Sequence, residues 1–297
     1  MSILSVQQLS KNYGSIQALK NVSFEVPKGS VFGILGPNGS GKTTLLGIVM
    51  DVLKASAGGI KLFDEMPTEK HRQKIGTLLE TPNFYHYLSA VNNLKIAAAI
   101  KGRGENDIER VLETVNLHQR KHSRFSTYSL GMKQRLAIAS CLLGDPHVMV
   151  FDEPTNGLDP VGIAEIRQLI KRLHKEGKTI IMASHLLDEV EKVCTHVAIL
   201  QRGDLISHGH VDEILINEDI AEISASDNER LYNAVENFPG SSHVKIQDHH
   251  VDIYFPNGTA SLERVNQYCF EKGIILNHLR LRKKSLETKF FELTKNN

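Results

Sequence analysis

Nine residues narrow the folds open to this chain more than any other feature. Gly36-Pro37-Asn38-Gly39-Ser40-Gly41-Lys42-Thr43-Thr44 satisfies the pattern G-x-x-x-x-G-K-[ST] in full. Such a run works only between a strand and a helix. Its glycines let the backbone curl so that successive N–H groups face a β-phosphate, and the helix behind it aims the positive end of its dipole at the same oxygens. Lys42 then reaches β- and γ-phosphate oxygens, and the Thr43 hydroxyl is a ligand for Mg²⁺. Gly36, Asn38, Gly39, Ser40, Gly41 and Thr44 line the cradle. The neighbours fit: Ser30–Leu35 is an apolar run ending in the glycine turn, and a helical pattern follows from Thr43 to about Leu53. Tyr13 precedes the loop by one strand hairpin, and its ring offers a face on which an adenine stacks.

Around this loop strands alternate with helices. Ile3–Leu9 and Val22–Val26 alternate in hydrophobicity, Pro27-Lys28-Gly29 marks a tight turn, and Gly58-Gly59 reads as a break before a strand over Ile60–Phe63. From about Asn83 to Gly144 the pattern turns mostly helical, with apolar residues at helical spacing over Val91–Ile100, Ile108–Val115 and Leu130–Leu142. Val148–Phe151 and Thr179–Ala183 read as buried strands. Ile163–Glu176 reads as an amphipathic helix stopped by Gly177, Leu186–Val193 as another helix, and Val197–Gln201 with Asp204–Gly209 as a hairpin around Arg202-Gly203. This order predicts an α/β fold with a mainly parallel sheet, an antiparallel amino-terminal portion and a helical insertion over about 83–144. Composition shifts after Ile216. Strands over Ala221–Ala225, Val244–Gln247, Val251–Phe255 and Ile275–Leu281, with helices over Asn228–Phe238, Ser261–Lys272 and Ser285–Leu293, predict a small α+β module. The expected domains are 1–215 and 216–297.

Charge and apolar content remove two classes of function. Lys and Arg number 35 against 34 Asp and Glu, so no electrostatic argument favours nucleic acid as the main partner. No apolar run approaches the ~20 residues that span a bilayer, and the amino terminus lacks a basic region followed by a long apolar one. Any membrane link is therefore expected through a partner. Cys141, Cys194 and Cys269 are too widely spaced for a disulfide framework or a metal site, and read as small buried hydrophobes in a reducing compartment.

Further motifs follow the loop in a set order. His147-Val148-Met149-Val150-Phe151-Asp152-Glu153 is an apolar strand ending in two carboxylates, which are costly at a buried strand end unless a cation sits there. Tyr128-Ser129-Leu130-Gly131-Met132-Lys133-Gln134-Arg135, Thr155-Asn156-Gly157-Leu158-Asp159-Pro160, Ser184-His185 and Ile75-Gly76-Thr77-Leu78-Leu79-Glu80-Thr81-Pro82 complete the set. Over Met1 to about Asp212 the chain resembles the ATPases of ABC transporters, which are P-loop NTPases. The resemblance implies that Asp152 enters the Mg²⁺ shell and that Glu153 polarises the attacking water. It implies that His185 is the switch histidine on the γ-phosphate and that Asp159, in the D-loop, helps fix the opposed site. Ser129 and Gly131 keep the signature usually written L-S-G-G-Q, while Leu130 and Met132 depart from it. Glu80 stands where the family has the glutamine of its Q-loop. A carboxylate there still ligates Mg²⁺ or accepts from its water but donates no hydrogen bond.

One chain carries one cradle and one signature. The family's chemistry needs Ser129 and Gly131 to face a γ-phosphate bound by another cradle, so the resemblance implies a homodimer or heterodimer of ATPase subunits formed head to tail around two ATP. It also implies an integral membrane permease as partner, placing the chain at the cytoplasmic face of the membrane. Phe84, Tyr85, Tyr87 and Leu88 lie where the family receives its permease, and are equally readable as core. The signature variant, Glu80 and the S-L-E-x-x-F ending at Ser285–Phe290 resemble the exporter-like branch, which moves drugs, immunity-related antibiotics, lipids or polysaccharides. Two other readings remain: a soluble ABC ATPase of translation or DNA repair, and a nucleotide-binding module without hydrolysis. The first usually has two fused cassettes or a long coiled-coil insertion. The second has no need of Lys42, Asp152, Glu153 and His185 together.

Overall fold

Burial at every residue marks the central strands, and alternation marks the strand Ile16–Pro27 before them. The computed structural model describes residues 2–79, 83–214, 218–256 and 258–283, together with Leu286 and Phe290. In chain order the elements are β1 (Ser2–Tyr13), β2 (Ile16–Pro27), β3 (Val31–Leu35), α1 (Lys42–Val49), β4 (Ala57–Leu62), α2 (Glu69–Gln73), β5 (Ile75–Leu78), α3 (Ala90–Lys101), α4 (Ile108–Thr114), α5 (Leu130–Leu142), β6 (Val148–Asp152), α6 (Pro160–Lys175), β7 (Thr179–Ser184), α7 (Leu187–Glu191), β8 (His196–Gln201), β9 (Asp204–His210) and α8 (Val211–Ile214). Then follow β10 (Glu218–Ala225), α9 (Asn228–Val235), β11 (His243–Ile246), β12 (Val251–Pro256), α10 (Leu262–Glu271) and β13 (Leu276–Lys283). The chain divides into two compact units, Met1–Val211 and Asp212–Asn297. The expected boundary at 215/216 lies outside the described residues.

Strands β3, β6 and β7 are buried at every residue, as strands covered on both faces must be, with polar residues only at the ends of β6 and β7. They sit at the centre of a six-stranded sheet of order β5-β6-β7-β3-β8-β9, parallel except for the β8–β9 edge hairpin. β2, by contrast, buries alternate residues Val22, Phe24 and Val26, and pairs in a separate antiparallel sheet of order β2-β1-β4. The two sheets share one core, in which the Phe24 and Phe32 rings stack with centroids 5.3 Å apart. Phe32→Ala removes a ring that is 1% exposed and is expected to cost about 3–5 kcal/mol. A fall in the urea midpoint of the amino-terminal transition measures it; an unchanged midpoint contradicts this packing.

Helix α6 shows why its residues form a helix. Asp159 caps it through a 2.9 Å bond from the Gly162 N–H, Pro160 suits its first turn, and Ile166, Leu169, Ile170 and Leu173 bury one stripe at helical spacing. Helices α3, α4 and α5 pack on one another within the expected insertion.

Three expectations change. Gly58 and Gly59 lie within β4 and do not break before it. β4 pairs with β1 so closely that a Cβ on Gly58 would stand 2.1 Å from the Gln8 carbonyl oxygen, at a φ of +72°. Helix α1 ends at Val49, short of Leu53, because Asp51 turns left-handed at φ 65°. β1 continues past Leu9 to Tyr13 because β2 pairs with it as far as Tyr13↔Ile16, while β4 pairs with it as far as Ser10.

In the carboxy-terminal unit, four antiparallel strands in the order β11-β12-β10-β13 carry α9 and α10 on one face. Ala221, Ile223, Val251, Ile253 and Phe255 turn to that face and form a core with Leu231, Val235, Val265 and Cys269. Period-two alternation sends Glu222, Asp252 and Tyr254 to the opposite face. The three cysteines are free and buried; burial pushes the Cys141 thiol up to about 11. Of the expected last helix, Leu286 and Phe290 are helical and the rest lies outside the described residues.

Candidate nucleotide site

The register of the parallel sheet sets which chain ends meet. Leu35 pairs with Ser184, and Asp152 with Ala183, so β3, β6 and β7 end at one edge. Ligands of open α/β sheets bind beyond such carboxyl ends. Gly36 leaves β3 at φ 153°, where a Cβ would lie 2.2 Å from the Leu200 carbonyl oxygen, so no larger residue fits. Ser40 N–H donates to the Pro37 carbonyl at 3.1 Å and closes the turn. Gly41 then caps α1 in the left-handed region without a side-chain bond. The first N–H groups of α1 therefore face the loop with no side-chain cap, as an anion site requires. The Ser40 hydroxyl is buried there without a hydrogen-bond partner.

Lys42 is 5% exposed and folds back into the loop. Its ammonium donates to the carbonyls of Gly36 at 2.8 Å and Pro37 at 3.2 Å, and lies 3.4 Å from Glu153 Oε1. The other oxygen, Glu153 Oε2, is 2.8 Å from His185 Nδ1. Glu153 thus bridges Lys42 and His185. Its backbone takes φ 48°, a conformation rare for a non-glycine residue, and is anchored by its N–H on the Ala183 carbonyl at 3.0 Å. Asp152, 5% exposed, ends β6 beside it, and Thr43 lies in the first turn of α1. The donors offered here are hydroxyl and carboxylate oxygens, which suit a hard dication such as Mg²⁺.

Ser129 and Gly131 occupy a second place. Ser129 caps α5, its hydroxyl accepting from the Met132 N–H at 3.3 Å. A groove runs between this helix start and that of α6, lined by Ser129, Leu130, Gly131, Gly157 and Asp159 among others, and by no residue of the 36–44 loop. The departing residue Leu130 is 49% exposed, and its Cδ2 would lie 3.3 Å from a Cβ on Gly157.

Comparison with known proteins bears on this arrangement. The family model for ABC transporters matches residues 19–156. The bacitracin transport ATP-binding protein BcrA of Enterococcus faecalis is 33% identical over 98% of this chain and 96% of its own length. Its namesake in Bacillus licheniformis is 36% identical over 98% and 97%. Among solved structures, the dimeric post-hydrolysis state of the ATP-binding cassette MJ0796 with ADP and Pi superposes with a TM-score of 0.62, at 26% identity, over 70% of this chain and 99% of that one. The chain belongs to the ABC transporter ATP-binding family.

This ABC ATPase is thus an ATP-binding, ATP-hydrolysing transporter subunit. Its loop, Asp152, Glu153 and His185 lie at one edge of the sheet, while Ser129, Gly131 and Asp159 line the separate groove. Tyr13 ends β1 with its ring 46% exposed and the Lys11 ammonium 5.0 Å from its centroid. Glu80 lies outside the described residues. The four aromatic and apolar candidates divide: Phe84 packs edge-on against Phe125 at 5.2 Å, Leu88 is half-buried, and Tyr85 and Tyr87 are exposed. Among the described residues, no helix is long and apolar enough to cross a membrane. Thr155 enters the sequence reading only as the first residue of the D-loop motif, with no role of its own. It is 4% exposed and its hydroxyl has no hydrogen-bond partner, two residues beyond Glu153.

Proposed function

We propose that two such subunits, in a homodimer or heterodimer, close head to tail around two ATP and drive a membrane permease that exports peptide antibiotics of the bacitracin type. The observation that carries the pairing is the separation of the cradle from the Ser129–Gly131 groove: each half lacks what the other offers. In each composite site the loop amides and Lys42 hold the β- and γ-phosphates of one ATP, Ser129 and Gly131 approach from the second subunit, and Asp159 steadies the junction. Tyr13 stacks on the adenine. Thr43, Asp152 and Glu80 would hold Mg²⁺, which when bound neutralises phosphate charge.

Lys42 and His185 share Glu153 before nucleotide enters. The γ-phosphate competes for the Lys42 ammonium, which frees Glu153 Oε1 to accept a proton from the attacking water. His185 keeps hold of Oε2 and aims the carboxylate. Loss of the γ-phosphate removes the contact between subunits, and the pair opens. That stroke reaches the permease through the exposed Tyr85 and Tyr87. The ATPase domain over 1–215 supplies it and the 216–297 domain is accessory. The export reading and its cargo rest on two relatives named for bacitracin transport that align over nearly the whole length. On this reading the chain works at the cytoplasmic face of the membrane, held there by the permease.

The test is loss of function in the chain's own host. Deleting its gene is expected to lower the minimal inhibitory concentration of bacitracin at least fourfold. Tagged protein from detergent-solubilised membranes is expected to carry a polytopic membrane protein with it. Unchanged sensitivity to bacitracin and related peptides removes the cargo assignment. Recovery of soluble partners alone removes the permease.

A further inference from the structure

The face of the carboxy-terminal sheet turned away from α9 and α10 carries charges that the ATPase reaction does not use. Glu222 of β10 pairs in register with Asp252 of β12, and His250 stands just before β12. One ligand atom from each of Glu222, His250 and Asp252 lies within 4.8 Å of the others. Asp252 is fully buried, an expensive place for a carboxylate. Its two oxygens are treated unequally. Arg282 Nη2 at 2.7 Å, Gln247 Nε2 at 3.4 Å and the Tyr254 hydroxyl at 3.5 Å all converge on Oδ2. Oδ1 has no hydrogen-bond partner. His250 Nε2 lies 3.4 Å from it.

That distance separates two readings. An imidazole hydrogen-bonded to a carboxylate stands at hydrogen-bond length, as His278 does on Glu222 Oε1 at 2.9 Å. Two ligands of a tetrahedral dication with bonds near 2.0–2.1 Å instead stand about 3.3–3.4 Å apart. His250 Nε2 lies 3.9 Å from Glu222 Oε2, so the third ligand needs only a small shift. Charge points the same way. Two carboxylates, Glu222 and Asp252, face one guanidinium, with Arg282 Nε 2.9 Å from Glu222 Oε2 and Arg282 Nη2 2.7 Å from Asp252 Oδ2. The outer shell of a metal site is also in place: Arg282 fixes Asp252 and His278 fixes Glu222, holding both carboxylates in their rotamers. The histidine side is the open one, His250 being 29% and His278 43% exposed, so an ion has a way in.

We propose that His250 Nε2, Asp252 Oδ1 and Glu222 bind a divalent transition-metal ion of the zinc type, with Arg282 and His278 as its outer shell. The ligand set, one imidazole and two carboxylates, suits zinc or cobalt over calcium, which takes oxygen ligands throughout. The site ties β10 to β12 and, through the outer shell, to β13.

The test uses the full chain without nucleotide. Cobalt(II) chloride titrated into the purified protein is expected to give visible d–d bands of tetrahedral intensity, saturating at one ion per chain and displaced by zinc. His250→Ala is expected to abolish that band, and His278→Ala to weaken binding about tenfold as outer-shell changes do. Should His250→Ala shift the far-UV spectrum, Glu222→Gln, which keeps the side chain's shape and removes its charge, is the second variant and is expected to abolish the band equally. Absence of a saturable band in the wild type overturns the proposal, and so does a band that survives intact in folded His250→Ala or Glu222→Gln.

Discussion

Glu153→Gln is expected to bind ATP as the wild type does, to turn it over at least about a hundredfold more slowly, and to accumulate as an ATP-bound dimer. The magnitude is that of losing a general base, commonly 10²–10⁴-fold. Geometry supports the role. Glu153 is held at one end by its backbone N–H on Ala183, and its carboxylate is held by His185 at 2.8 Å. Only Oε1 is loosely engaged, 3.4 Å from Lys42, and it has no hydrogen-bond partner. An amide of the same shape keeps the fold and the Lys42 site but accepts no proton. If hydrolysis is what opens the pair, the variant stays closed. Phosphate release gives the first number, and light scattering at saturating Mg-ATP the second. A variant that hydrolyses at a tenth of the wild-type rate or faster sinks the assignment of Glu153. One that is slow yet monomeric sinks the closed pair.

Much of this site was legible because its parts are local. Strand, glycine turn and helix from Val31 to Val49 are contiguous, and each carries its own signal: a fully apolar run, a nine-residue motif, a helical pattern. The acid pair is legible for the same reason, at the end of an apolar strand. Which strands lie side by side is not local. That Asp152, Glu153 and His185 share an edge with Gly36 depends on the order β6-β7-β3, which hydrophobic patterning does not encode and which only the resemblance implied. Gly58-Gly59 fits a break as well as a strand interior, because glycine pairs look alike in either setting; close approach to Gln8 decides it. The left-handed backbone at Glu153 has no sequence signal, since glutamate seldom takes it. Glu222, His250 and Asp252 form no spaced motif either. They meet because antiparallel register sets Glu222 opposite Asp252, and the period of two then turns both away from the helices.

Lys42→Ala is expected to weaken ATP binding at least about a hundredfold. The Lys42 ammonium is buried and held by two carbonyls of its own loop, so its position is fixed before ligand arrives and little side-chain entropy is lost on binding. Charge-assisted bonds to phosphate contribute about 1.5–3 kcal/mol each, and two of them correspond to about a hundredfold or more in affinity. Removing the side chain does further harm. The carbonyls of Gly36 and Pro37 lose their donor, and Glu153 loses its one buried counter-charge on the Oε1 side. Lys42→Arg is not expected to rescue, because a planar fork does not fit where a point charge is 5% exposed. Isothermal titration with ATP separates loop collapse from a lost clamp when run beside a urea curve. A variant with an unshifted urea midpoint and no measurable heat places the loss on the phosphate contact. An affinity equal to the wild type's overturns the role of Lys42, and with it the reading that ATP displaces Lys42 from Glu153.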